Sequence, residues 1–83
     1  MTKNQQIVLN AIRSVIDKRI ETRHFPYCAL AREVREEFKG EDITSDEYIF
    51  AIMDLVQAGT IKRRMTYHEE SYYLNNNDHE CNS

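Results

Sequence analysis

Eighty-three residues make one domain with no room for a second core, and a domain this short buries only about 60% of the surface its unfolded chain exposes. An apolar fraction of 41% fits an ordinary globular domain carrying a polar tail. A formal net charge of −3 excludes a chain that is basic throughout, but the charge is unevenly spread: residues 1–40 hold eight Lys or Arg against five Asp or Glu, and residues 41–83 hold three against nine.

Thr2 or Asn4 caps a first helix predicted over 4–20, with Gln5 placed as a capping-box partner three residues after Thr2. Val8, Leu9, Ile12, Val15 and Ile16 form its inward stripe. Ile7 stands at the edge of that stripe, as part of a wide core face or as a dimer contact. The helix is expected to fade near Arg19 or Ile20. An irregular segment follows, with Phe25 expected to anchor it to the core. Pro26 disfavours helical geometry at Phe25 and suits a first helical turn, so a second helix is predicted over 27–39. Leu30, Val34 and Phe38 repeat every four residues on its inner side, supported by Ala31. Arg32, Glu33, Arg35, Glu36, Glu37 and Lys39 are expected on a solvated face, with Gly40 ending the helix.

The clearest helix is predicted over 44–58. Thr44 is its N-cap, Glu47 completes a capping box, and Ile43 with Tyr48 suits a hydrophobic staple. Asp46 and Glu47 lie in the first turn, where the helix dipole favours negative charge. Tyr48, Ile52 and Leu55 follow helical spacing, and so do Ile49, Met53 and Val56. Gly59 is placed to take the left-handed conformation that ends a helix.

Ile61, Met65 and Tyr67 then alternate with Lys62, Arg64 and Thr66, which predicts a half-buried strand whose apolar face Arg63 interrupts. Tyr72, Tyr73 and Leu74 give a shorter partner strand, with residues 68–71 as the hairpin connection. Residues 76–83 are polar and aperiodic, and are expected to be a disordered tail beyond a folded domain over 1–75.

In order and length these elements resemble the winged helix-turn-helix superfamily. The most specific part is residues 55–64, where Leu55, Gly59 and Ile61 precede Lys62, Arg63 and Arg64. A similar Leu-x-x-x-Gly-x-Ile pattern closes the third helix and opens the wing in many members. The resemblance implies an α+β fold, three helices followed by a two-stranded β-hairpin wing, and double-stranded DNA as the partner of a transcriptional regulator or accessory factor. Carried onto this chain, it places Ser45, Asp46, Ile49, Phe50 and Met53 at the outward reading positions of the third helix.

Those residues sit poorly with that role. Phosphate contacts draw on Lys, Arg and small polar groups, yet residues 41–58 hold five acids and no base. The basic residues suit DNA better: Lys62, Arg63 and Arg64 at the wing, and Arg19 and Arg23 near the end of the first helix. Tyr67, Tyr72 and Tyr73 can stack on bases or pack within the sheet. The alternative function is a winged-helix protein-interaction module, with Phe50 and Met53 as an apolar centre between Asp46 and Asp54. Core and interface are equally open for both apolar side chains. A surplus of Ile7, Ile49, Phe50 and Met53 would also suit a homodimer.

Cys28 and Cys81 are read as free thiols, and neither the His68 and His79 fragments nor His24 with Cys28 supplies a four-ligand metal set. No Gly-rich phosphate loop or nucleophile elbow is present, so no catalytic residue, metal or cofactor is expected. With no signal-peptide pattern and no membrane-length apolar run, a cytoplasmic protein is expected.

Overall fold

The computed structural model describes residues 1–65 and 68–75. The fold is α+β. Its elements run α1 (Lys3–Glu21), β1 (Ala29–Leu30), α2 (Ala31–Glu37), α3 (Ser45–Gln57), β2 (Ile61–Met65) and β3 (Glu70–Leu74). The strands form one antiparallel sheet in the order β1-β3-β2. The sheet therefore has three strands, not the two expected. Tyr67 and the tail expected over 76–83 lie outside the described residues.

Both expected capping boxes form. Thr2 accepts from the Gln5 amide and Thr44 from the Glu47 amide, each at 3.1 Å, and both partner side chains bond back to the cap amide. α1 ends at Glu21, one residue past its expected end, in a turn where Arg23 N–H bonds Ile20 O and His24 N–H bonds Arg19 O. That double bond is a Schellman motif, with Arg23 left-handed at φ 54° where Gly is usual. α3 ends the same way. Gly59 N–H bonds Val56 O, Thr60 N–H bonds Leu55 O, and Gly59 takes φ +79° as expected.

α2 is shorter than the expected helix at both ends. Ala29 and Leu30 are drawn into the sheet, where Tyr72 and Ser71 are their ladder partners. Leu30 has no side-chain acceptor to offer as a cap, and Glu33 instead reaches back to accept its N–H at 3.0 Å. The helix closes at Phe38, whose N–H bonds Val34 O, so Gly40 is not the terminator. β3 begins at Glu70, two residues before the expected start at Tyr72, so Glu70 and Ser71 belong to the strand and not to the connection.

The core lies where the three helices meet the inner side of the sheet. α1 contributes Val8, Leu9, Ile12, Val15 and Ile16, α2 Val34, α3 Tyr48, Ile52 and Leu55, and the strands Ile61 and Tyr72. Ile7 is half-buried at the edge of the α1 stripe. Phe25 does not anchor its segment: it is 69% exposed and packs edge-on with the Tyr27 ring. The segment is tied down through its backbone, where Arg19 Nη1 donates to Pro26 O at 3.0 Å, and through the buried Cys28 and Ala29. Met65 is likewise exposed, because β2 beyond Ile61 faces an open groove and not the core.

Candidate functional site

α3 carries two apolar stripes at helical spacing, and the fold can bury only one. Tyr48, Ala51, Ile52 and Leu55 turn inward. Ile49, Phe50 and Met53 are left outward at 50%, 63% and 52% exposure, and Met65 on β2 stands at 67%. Ile49, Met53 and Met65 share the lining of one groove of about 840 Å³ between α2, α3 and the hairpin. Phe50 lies one residue along α3 from Ile49, on the outer shoulder of that groove. The four residues make an apolar strip running from α3 across the groove to β2. Single exposed apolar residues are ordinary, but a contiguous group marks a binding surface.

The groove floor is a polar chain that runs from two buried tyrosines out to the exposed Arg63. Tyr48 and Tyr72 hydroxyls lie 2.7 Å apart, Tyr72 donates to the Glu70 carboxylate, and Arg63 Nη2 holds the other Glu70 oxygen at 2.8 Å. Burial raises both tyrosines above their ordinary pKa, and for Tyr72 the bond to Glu70 raises it further. Both hydroxyls therefore stay neutral. Since Tyr72 donates to Glu70, Tyr48 must donate to Tyr72. The chain fixes Arg63 on the groove side of β2.

The groove walls differ in sign from the outer flank of α3. Arg32 and Arg35 of α2 and Arg63 of β2 line the groove together with Glu69 and Glu70 of the hairpin. Arg32 pairs with Glu69 at 3.6 Å, while Arg35 lies 5.8 Å over the Tyr48 ring. On the other side of the strip, Glu47 and Asp54 face α1, where Asn4 Nδ2 (3.4 Å) and Gln5 Nε2 (3.0 Å) donate to them. Those donors are neutral amides, so both negative charges persist. Bonds to Thr44, the backbone one first, also hold Glu47 below the usual carboxylate range.

The expected basic cluster is divided. Lys62, Arg63 and Arg64 are all exposed on β2, but strand alternation puts Arg63 on the groove side and Lys62 and Arg64 on the other. Arg19 is not available as a surface phosphate contact. It is 8% exposed, and its guanidinium joins Glu33 at 2.8 Å and Pro26 O, locking α1 to α2. Arg23 is exposed at the Schellman turn. Ser45 and Asp46 are exposed in the first turn of α3. Tyr72 is wholly buried and Tyr73 half-buried, so Tyr72 is unavailable for base stacking.

Four groove residues were not singled out from sequence: Arg32, Arg35, Glu69 and Glu70. The two arginines read as a solvated helix face, and only the position of the hairpin makes them a wall. The same face proved less solvated than expected, since Glu33 and Glu37 turn to α1. Glu37 accepts from Ser14 and Lys18, and these bonds lower its pKa. Cys28 is a buried free thiol. Among the described residues, no helix is long and apolar enough to cross a membrane, and no three His, Cys, Asp or Glu are grouped to hold a metal ion. No family model, curated protein or solved structure matches the chain.

Proposed function

We propose that this chain is a winged-helix domain whose α3, groove and hairpin dock another protein molecule. Supporting the winged-helix reading are the element order, with residues 38–44 connecting α2 to α3, and the hairpin that follows Gly59 directly. The observation that carries the docking reading is the exposure, side by side, of Ile49, Phe50, Met53 and Met65. Covering each of these half-exposed side chains is worth about 1 kcal/mol, part of the 1.5–3 kcal/mol for full burial. A protein surface offers apolar groups to gain that energy. A duplex offers phosphates at the groove rim, and α3 meets them with Asp46, Glu47 and Asp54 and no cation.

DNA backbone contact remains a second reading because Lys62 and Arg64 sit exposed together on the outer side of β2. Two phosphate contacts there would give a salt slope of about 2. That contact would not use the α3 face.

Photo-cross-linking in cells separates the readings. A photoreactive phenylalanine analogue at position 50 is expected to give protein adducts, while the same group at the exposed position 13 of α1 gives none. Nucleic-acid adducts at position 50 without protein adducts would overturn the docking reading.

A further inference from the structure

We infer that the molecule docked on this face is a second copy of the same chain, held around a two-fold axis that lies parallel to α3. The inference rests on the docking reading above and names its partner. Its ground is the ordered polarity of the face. The apolar strip of Ile49, Phe50, Met53 and Met65 has acids on one flank and arginines on the other. On the acid flank, Glu47 and Asp54 are bonded by the neutral amides of Asn4 and Gln5. On the basic flank, Arg35 rests on the Tyr48 ring. Arg32 and Arg63 are held by Glu69 and Glu70, so the positive charge that the basic flank offers is that of Arg35, while among the described residues neither Glu47 nor Asp54 pairs with a cation.

A two-fold axis in the plane of the strip and parallel to α3 exchanges the two flanks. It sets the acid flank of each copy against the arginine wall of the other and the two apolar strips against one another. Every contact then occurs twice, as an isologous interface requires. A partner of a single sign satisfies one flank and is repelled by the other, so self-pairing is the arrangement this polarity favours. The competing two-fold arrangement is edge-to-edge pairing of β2, whose outer edge no strand covers among the described residues. Antiparallel pairing of β2 with itself would oppose Lys62, Arg63 and Arg64 of the two copies, and like charges directly opposite one another are destabilising.

Sedimentation equilibrium over low to high micromolar concentrations tests the inference with charge-swapped chains. One variant carries Arg32→Glu and Arg35→Glu. The other carries Glu47→Lys and Asp54→Lys. All four positions are exposed, and circular dichroism verifies that each variant folds. The unsubstituted chain is expected to dimerise and each variant alone to be monomeric. An equimolar mixture of the two variants should dimerise again, because each acid flank then faces a basic one. Phe50→Asp supplies an independent check, and it should weaken dimerisation at least about a hundredfold because the two-fold axis counts it twice.

A chain that stays monomeric at high micromolar concentration overturns the second copy. The docking reading then stands if position 50 still cross-links to a different protein, and falls if it cross-links to none. A dimer that persists in both charge variants, or one the mixture fails to restore, overturns the proposed arrangement.

Discussion

Tyr72→Phe keeps the ring in the core and removes only its hydroxyl, so it isolates the polar chain under the groove. The substitution deletes the bond with Tyr48, a neutral pair worth about 1 kcal/mol, and the bond to the Glu70 carboxylate, worth about 1.5–3 kcal/mol. Glu70 keeps Arg63, which recovers part of that loss. The buried Tyr48 hydroxyl, however, is left without an acceptor. We expect a net loss of about 2–3 kcal/mol. In a domain of this size that lowers Tm by roughly 10–20 °C. Urea and thermal denaturation followed by circular dichroism measure both quantities. Tyr48→Phe should cost about 1 kcal/mol, and the double variant should be less destabilised than the sum by about 1 kcal/mol, because the second deletion no longer strands a partner. A Tyr72→Phe chain within about 0.5 kcal/mol of the original would refute the buried hydroxyl chain.

Gly59→Ala meets no atom closer than Asn75 Nδ2 at 3.9 Å, so its expected loss of about 1–2 kcal/mol is backbone strain at φ +79° and shows as a lower urea midpoint with an unchanged slope. Arg19→Ala leaves the Glu33 carboxylate without its cation, with only the Leu30 N–H, and the Pro26 carbonyl with only the Cys28 N–H, and should cost about 2 kcal/mol in chemical denaturation, whereas Arg23→Ala at the exposed turn should leave Glu33 paired and cost far less. Stability should fall as pH rises through 10, the ordinary tyrosine value, because Tyr48 and Tyr72 keep their protons in the folded chain and lose them in the unfolded one. Ultraviolet titration of tyrosinate then shows these two ionising only as the chain unfolds, and Tyr72→Phe should flatten the alkaline slope.

The third helix was the most legible element because several local signals agreed on it. Thr44, Glu47 and Gly59 fixed both ends, and the charge and apolar spacing pointed the same way. Its exposed face was not legible from spacing alone, since the Tyr48–Ile52–Leu55 stripe and the Ile49–Met53–Val56 stripe have equal spacing, whereas the family resemblance placed Ile49, Phe50 and Met53 outward, where they are found. Only the placement of α1 and the sheet chooses between them. β1 was missed because a two-residue strand has no period, and its partners lie some forty residues downstream in β3. Cys28, Ala29 and Leu30 therefore read as the start of a helix.

Arg19 shows the same limit for charge. Beside Lys18 it reads as surface base, and its burial follows from Glu33 and Pro26 arriving from two later segments. Arg63 was half legible. Alternation with Ile61 separates it from Lys62 and Arg64, but the carboxylate that engages it lies on β3. Arg32 and Arg35 gave no signal at all, because a groove wall exists only once a second element stands opposite.

Hydroxyl-radical footprinting of the intact chain tests the central claim most directly, since Met53 and Met65 are reactive reporters on opposite sides of the groove and exposed Met1 is a built-in control. Labelling of Met53 and Met65 should slow with rising protein concentration while Met1 is unchanged, and duplex DNA added to the dilute chain should protect neither. Protection of Met53 and Met65 by DNA, with labelling rates that do not depend on protein concentration, would contradict the account.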